Sequence, residues 1–248
     1  MIDGRIVVGV DGSAGSRAAV RWAATEAALR GAELRVVTAY HRAAEGAGTS
    51  ALLHDAVAHA RQAAPGVRVS GLAPAGYAVP VLLHAAEVAG MLVVGSRADG
   101  GLPGAPHGSV GNQVATHARC CVVVVRGRSG AAEDGPVVVG VGDGATDGPI
   151  IGRAFEAAAL RGAAVRAVNT CDTDVDSALE PWRGKFPEVP ADHEVVPGDP
   201  GKVLVDRSRQ ARLVVVGPRR HGFEGVMLGA IGGRLLQRAD CPVLIARS

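Results

Sequence analysis

The sequence predicts an α/β protein made of two tandem doubly wound units, each with a five-stranded parallel sheet. Three observations predict this class: an internal repeat, apolar strands that alternate with helices, and a Gly-rich linker between the two copies. Hydrophobic residues make up 48% of the chain but aromatic residues only 3%. Small and β-branched side chains must therefore fill the core, as they do when Val-rich strands are covered by Ala-rich helices.

The internal repeat appears in segments that recur in the same order. IVVGV at 6–10 recurs as VVVGV at 137–141, and ALRGA at 28–32 recurs at 159–163, both at an offset of 131 residues. Later segments keep the order at a shorter offset: LVVG at 92–95 aligns with VVVG at 214–217. Repeats of this size indicate two copies of one folding unit.

The linker between the copies, 127–136, is rich in Gly and polar residues and ends in Pro. We therefore predict one domain at 1–128 and a second at 136–248. The closing strands of the two copies are predicted at 121–126 and 242–247.

The elements of the first copy follow from local patterns. The apolar run at 5–10 predicts a strand, the Ala-rich segment at 16–30 a helix closed by Gly31, and 33–39 a second strand. A helix at about 49–64 ends before Pro65, and a short strand follows at 67–73.

The remaining elements of the first copy are a helix at 79–89, a strand at 91–94, a helix from about 109 to 118 and the closing strand. The strands at 5–10, 91–94 and 121–126 do not alternate polar with apolar residues, which is typical of a parallel sheet buried on both faces. Ligands of such sheets bind beyond the carboxyl ends of the strands, at the switch point. The loops after the first and fourth strands are therefore the candidate binding loops.

The loop after the first strand contains Gly9, Asp11 and two serines. Ser13 or Ser16 can cap the helix that follows, and the glycines permit a tight turn. Capping alone explains most of this loop, but it does not explain Asp11.

The loop after the fourth strand runs from Gly95 to Val110 and is rich in Gly and Pro. Gly108 and Ser109 open a helix whose N-terminal amides attract phosphate, and Arg97 adds positive charge. A plain surface loop would fit the same composition.

These motifs together resemble the universal stress protein family. The opening VVGVDGS at 7–13 with Trp22 is similar to the start of a domain of that family. The family's nucleotide loop has Gly, two residues, Gly, nine residues, then Gly and Ser or Thr. The segment from Gly95 to Ser109 keeps that spacing, with Ala98 in place of the second Gly.

The resemblance implies a Rossmann-like fold of the adenine nucleotide alpha hydrolase type. It also implies a bound ATP, with or without Mg²⁺. Asp11 would contact the ribose or a metal-phosphate group, and the backbone near Ala39 would face adenine. Gly95, Arg97 and Ala98 would line the ribose and phosphates, and Gly108, Ser109 and Val110 would hold the phosphate chain. Gly9 is a further implied binding residue. The methyl group of Ala98 would weaken close approach of the backbone.

The second copy departs further from the family pattern. Asp11 maps to Gly142, with Asp143 displaced by one residue. The loop from Gly217 is one residue shorter, and Ala230 replaces the final Ser. We expect its nucleotide site to be weak or empty. The segment from Gly140 to Ala145 also fits the dinucleotide fingerprint GxGxxA, but the acid that this fingerprint requires after the next strand is missing.

Charge and cysteine content restrict the other functions. The net charge is +2 with acids and bases interspersed, which does not indicate a nucleic-acid surface. No segment resembles a signal peptide or a membrane span, so we expect a cytoplasmic protein. The four cysteines have no zinc-binding spacing, and we expect them to be free thiols in a reducing compartment.

The leading hypothesis is a non-enzymatic stress-response regulator in which ATP orders the loop at 95–110 and changes a surface offered to an unknown protein partner. The alternatives are a nucleotide-free interaction module with degenerate sites and a slow ATP hydrolase. No Walker motif or catalytic triad appears in the sequence. The resemblance also implies that the closing strands pair the two halves as an intramolecular pseudo-dimer, or pair two chains as a homodimer.

Overall fold

The computed structural model describes residues 4–40, 46–96, 110–126, 134–142, 147–171, 173–220 and 226–247. The chain forms two compact units, one made by residues up to Val125 and the other from Arg126 onwards.

The first unit contains a five-stranded parallel sheet, as predicted. The strand order is β3-β2-β1-β4-β5, and every neighbouring pair is parallel. The strands are β1 Arg5–Gly9, β2 Leu34–Val37, β3 Val69–Leu72, β4 Ala89–Gly95 and β5 Cys121–Val125.

Four helices connect these strands: α1 Ala14–Arg30, α2 Gly46–Ala63, α3 Ala78–Ala86 and α4 Val110–His117. Strands β2 and β3 are added on one side of β1, whereas β4 and β5 are added on its other side. With right-handed crossovers, α1 and α2 cover one face and α3 and α4 the other, in agreement with the contacts of α1 with α2 and of α3 with α4. The switch point lies between β1 and β4.

The second unit repeats this arrangement, with a parallel sheet in the order β12-β9-β6-β7-β8. Its strands and helices are, in chain order, β6 Val137–Gly140, α5 Gly148–Ala159, β7 Val165–Asn169, α6 Val175–Lys185, β8 Ala191–Val195, α7 Pro200–Ser208, β9 Leu213–Val216, β10 Arg219–Arg220, β11 Val226–Met227, α8 Ala230–Arg238 and β12 Val243–Ile245. The antiparallel pair β10–β11 lies in a segment that the sequence predicted only as a loop.

The two sheets also share their register, which supports the predicted offset of 131 residues. Gly9 pairs with Val37 in the first sheet, and Gly140 pairs with Val168 in the second. The residue after each glycine donates its N–H to the partner strand's carbonyl over the same 2.9 Å. Residues 131 apart in this region are therefore structurally equivalent.

The predicted element types are confirmed, with boundaries that differ by a few residues. Helix α1 begins at Ala14 rather than at 16, because Ser13 acts as its N-cap. It ends as predicted before Gly31, whose φ of 62° lies in the left-handed region that favours glycine. Strand β4 begins two residues earlier than predicted, at Ala89, which pairs with Arg5.

Candidate functional site

The turn between β1 and α1 is held by its own side chains. Asp11 is exposed, and its Oδ1 accepts a hydrogen bond of 3.0 Å from the Ser13 amide. The Ser13 hydroxyl accepts a bond of 3.1 Å from the Ser16 amide, which caps α1. Arg17 donates to the Gly12 carbonyl over 2.7 Å. An acid and a capped helix start are thus fixed at the carboxyl edge of the sheet.

The end of β4 touches this turn backbone to backbone. A Cβ added to Gly15 would lie 2.1 Å from the Ser96 carbonyl oxygen, and one added to Gly95 would lie 2.3 Å from the carbonyl of Gly15. Side chains at either glycine would force the two segments apart. The two candidate loops therefore leave the sheet side by side, and two glycines make this contact possible.

Five of the nine predicted binding residues lie in the described part of the chain. Gly9, Ala39 and Gly95 stand at or just beyond the carboxyl ends of β1, β2 and β4, which are neighbours in the sheet. Asp11 follows β1, and Val110 is the first residue of α4. Arg97, Ala98, Gly108 and Ser109, four of the residues predicted to line the ribose and phosphates, lie outside the described residues.

The second unit has a cavity of about 470 Å³ at the equivalent edge of its own sheet. It lies at the carboxyl ends of β6, β7 and β9 and reaches the N-terminal ends of α5, α7 and α8. A cavity of this size falls within the range of small-molecule sites. Gly142, the equivalent of Asp11, is one of the residues that line it.

The walls of the cavity are mostly apolar, and five of the described side chains that line it are polar. The apolar side chains include Val141, Ile150, Val168, Leu204, Val216 and Ile231. The polar side chains are Asp147, Asn169, Thr170, Cys171 and Thr173. None of the described residues that line the cavity is Lys, Arg or His.

In the second half Gly142 stands where the first half has Asp11, and the acid that closes the turn after β6 is Asp147. Its Oδ2 accepts a hydrogen bond of 2.6 Å from the Gly142 amide. Sequence analysis did not single out Asp147. The available signal was an acid followed by Gly148 and Pro149, which is typical of a helix start.

Asn169, at the end of β7, is another polar residue that sequence analysis did not assign to the site. Its amide nitrogen donates to the Cys171 carbonyl and, over 2.9 Å, to the Thr173 hydroxyl. Because a carbonyl only accepts, these contacts fix which end of the amide is nitrogen. The amide oxygen is buried and has no hydrogen-bond partner.

A structural metal is not indicated in the described ranges. No group of three or more His, Cys, Asp or Glu residues there is arranged to hold a metal ion. The same ranges contain no helix with the length and apolarity needed to cross a membrane.

Comparison with known proteins identifies the relatives of this chain. The sequence profile of the Universal stress protein family matches residues 4–126 and 175–247. A universal stress protein of Mycobacterium tuberculosis strain H37Rv is 31% identical, and the match covers 98% of this chain and 96% of the relative.

A solved structure shows the same fold. A universal stress protein from Archaeoglobus fulgidus superposes with a TM-score of 0.80 at 16% identity, over 98% of both chains. A universal stress protein solved in complex with cAMP is 32% identical over 50% of this chain and 96% of its own length, with a TM-score of 0.44. The match of both repeats to one family profile, together with the near-complete match to a relative at 31% identity, shows that this chain belongs to the universal stress protein family.

Proposed function

We propose that this chain is a non-enzymatic, ATP-binding regulator whose nucleotide site lies mainly in the first half. The backbone contact between Gly15 and Ser96 carries this proposal, because it sets the turn bearing Asp11 beside the loop that leaves β4. In a doubly wound sheet, ligands bind where such loops meet. Family membership supports the assignment of the nucleotide loop to the segment from Gly95 to Val110.

In this proposal the phosphates lie against the amides of Gly108, Ser109 and Val110, and Asp11 contacts the ribose or a Mg²⁺ bound to the phosphates. Adenine faces the backbone near Ala39. Unpaired amides at the start of a helix attract phosphate without any other charged partner. Binding then orders the loop at 95–110 and changes the surface presented to a protein partner.

Isothermal titration with ATP and MgCl₂ tests this proposal. We expect saturable binding, weakened about tenfold by Asp11→Ala through loss of a charge-assisted hydrogen bond. Asp55→Ala is the matched control, since Asp55 is an exposed aspartate on α2. If the intact protein binds no ATP at concentrations from micromolar to millimolar, the proposal is wrong and the alternative of a nucleotide-free interaction module is favoured.

Phosphate release distinguishes the regulator from the slow hydrolase. We expect no release of phosphate above that of a Gly108→Val variant, whose added side chain would crowd the phosphates. Release that disappears in Gly108→Val would instead establish an ATPase.

We also propose that the protein acts in the cytoplasm and that the closing strands β5 and β12 mediate pairing of the halves or of chains. Strands as apolar as Cys121–Val125 associate with other strands when they are left exposed. Light scattering after size-exclusion chromatography tests the homodimer, which we expect at twice the chain mass of 25.0 kDa.

A further inference from the structure

We infer that the outer face of α3 is an interface between two copies of this chain, in which the two α3 helices pack antiparallel about a two-fold axis. This interface goes beyond the proposed function, because nucleotide binding by one chain does not require a second copy. Three features of the helix carry the inference: its exposed face, its two ends, and its difference from the equivalent helix of the second half.

Helix α3 presents an apolar stripe to solvent. Tyr77 at its start is 72% exposed and Val88 just beyond its end is 71% exposed, the highest values among the large hydrophobic residues that the structure describes. Val81 and Ala85 lie between them and are half-buried. The backbone angles of Glu87 are helical, so the chain continues the path of α3 as far as Val88. Residues three or four positions apart share one side of a helix, and an apolar stripe of this kind is typical of a contact surface.

The helix of the second half that corresponds to α3 is α7. A Cβ built on Gly9 would lie 2.9 Å from Leu82 Cδ1, and one built on Gly140 would lie 2.8 Å from Leu204 Cδ1. The two leucines therefore pack in the same way against equivalent positions of β1 and β6. They are separated by the same offset as the aligned strands β4 and β9, so the positions of α3 and α7 can be compared one by one.

Helix α7 carries polar residues where α3 carries the stripe. Tyr77, Ala85, Glu87 and Val88 of the first half correspond to Asp199, Arg207, Arg209 and Gln210 of the second. Asp199 caps the first turn of α7 by accepting a bond of 2.9 Å from the Lys202 amide, and Arg209 stands at the C-cap. Such charges suit a helix that faces water. The fold does not require apolar residues at these positions, so their presence on α3 has another cause.

The two ends of α3 complement each other better than they suit their own helix. The N-cap residue Tyr77 makes no side-chain bond to the first turn, and the amides of Ala78 and Val79 have no acceptor within the helix. At the other end, Glu87 places a carboxylate at the negative end of the helix dipole. This carboxylate is 64% exposed and lies 3.3 Å from His84 Nδ1. A second copy that packs antiparallel brings each Glu87 to the start of the facing helix.

A two-fold axis between residues 82 and 83 satisfies the face and the ends together. It places Tyr77 against Val88 of the second copy, and Glu87 against the Ala78 amide of the second copy. Each contact is made twice, because the same surface is used by both chains. Small side chains such as Ala85 near the centre let the two helices approach closely.

The size of the stripe indicates a weak dimer. The distance from Tyr77 to Val88 along a helix is about 17 Å. A contact of one such face buries less than the roughly 1,600 Å² of a standard interface. We therefore expect a dimer that dissociates on dilution, with a dissociation constant in the micromolar range.

Sedimentation velocity of the intact chain from about 1 to 500 µM tests the interface. We expect the mass to rise with concentration from 25.0 kDa towards twice that value. The double variant Ala85→Arg, Val88→Gln takes the α7 residues at the same positions, and we expect it to weaken association at least about tenfold. Val195→Gln is the matched control, since Val195 is an exposed valine outside α3, and it should associate as the unsubstituted chain does.

Two results overturn the inference: a mass of 25.0 kDa at every concentration, or a double variant that associates as strongly as the unsubstituted chain. The second result would assign chain pairing to another surface, such as the closing strands. The same double variant is titrated with ATP and MgCl₂. We expect it to bind as the unsubstituted chain does, so a failure of the proposed function is seen separately from a failure of the interface.

A cross-linking measurement covers the case in which the double variant does not fold. Chains with Tyr77→Cys are mixed with chains with Val88→Cys and oxidised. We expect more disulfide-linked dimer in the mixture than with either variant alone, because the axis brings residues 77 and 88 together but holds each about 17 Å from its own copy. Val195→Cys in place of Val88→Cys should give no such increase. A mixture that cross-links no more than its components would overturn the inference.

Discussion

At the scale of single residues, the stability of the protein depends on glycines whose positions have no room for a Cβ and on a cysteine whose burial favours the protonated thiol. Gly15 and Gly95 allow the backbone contact at the candidate site. Cys241 is fully buried beside β12 and its thiol lies 3.4 Å from the Pro242 carbonyl. Each of these residues supports a prediction.

Gly15→Ala is expected to destabilise the protein by about 1–3 kcal/mol and to weaken ATP binding, because the new Cβ would lie 2.1 Å from the Ser96 carbonyl oxygen. Gly48→Ala on α2 is the control. No atom lies within 4 Å of a Cβ there, so the substitution should be neutral or stabilising by a few tenths of a kcal/mol to about 1 kcal/mol. Urea unfolding of both variants checks the prediction, which fails if Gly15→Ala is as stable as Gly48→Ala.

Cys241 should make stability fall in alkaline solution. Burial raises the pKa of its thiol to about 12 from an ordinary value of 9.0. Between these pH values the folded state holds a proton that the unfolded state has released, so the free energy of unfolding decreases as pH rises. We expect Cys241→Ala to lose this part of the slope in urea titrations from pH 9 to 11. Parallel pH profiles for the two proteins would contradict it.

At the scale of elements, helix α1 connects the core with the candidate site. Ser13 fixes its start and Gly31 its end, and one face packs against β4 and α2. Its buried face includes a charge pair: Arg30 Nε lies 2.5 Å from Glu26 Oε1, with side chains 7% and 1% exposed. Such a pair is costly to break because the remaining charge stays buried.

Glu26→Ala is therefore expected to destabilise the protein by roughly 3 kcal/mol, since it leaves the Arg30 charge without this carboxylate. The contrasting variant is Asp192→Ala, which removes an exposed bond to Arg166 and should cost no more than about 1 kcal/mol. Thermal and urea unfolding measure both. A loss for Glu26→Ala no larger than that for Asp192→Ala would show that the pair on α1 contributes little.

At the scale of the whole molecule, the chain is two copies of one doubly wound unit that have diverged at the carboxyl edges of their sheets. The domain limits predicted from the linker are 1–128 and 136–248, whereas the compact unit of the second half starts at Arg126. The guanidinium of Arg126 donates to the last carbonyls of α8, to Gln237 over 2.7 Å, to Ala239 over 3.3 Å and also to Leu236. These bonds satisfy acceptors that the end of a helix leaves open.

A fragment of residues 126–248 is thus expected to melt at a higher temperature than one of residues 136–248, because only the longer fragment retains Arg126. The same longer fragment with Arg126→Ala should melt near the temperature of the shorter one. Circular dichroism at 222 nm follows each transition. Equal melting temperatures for the two unsubstituted fragments would mean that the Arg126 bonds do not matter for stability.

The positions of some candidate residues could be predicted from sequence, whereas their binding roles stay predictions. The position of Asp11 followed from a strand pattern and a turn, and the neighbouring end of β4 followed from the rules of doubly wound sheets. The roles of Asp147 and Asn169 were missed, because their hydrogen bonds involve backbone groups whose positions no short motif encodes. The positions of Arg97, Ala98, Gly108 and Ser109 lie outside the described residues, and the binding roles of all nine predicted residues stay predictions.

The sequence by itself determined the two repeats, the order of strands and helices, and the family. Local patterns carry that information, because apolar runs, caps and Gly or Pro stops act within a few residues of their own position. Only the tertiary structure decided that Gly15 and Ser96 touch and that the degenerate second half still encloses a cavity. Those features depend on distances between segments that are far apart in the chain, and such distances are set by packing.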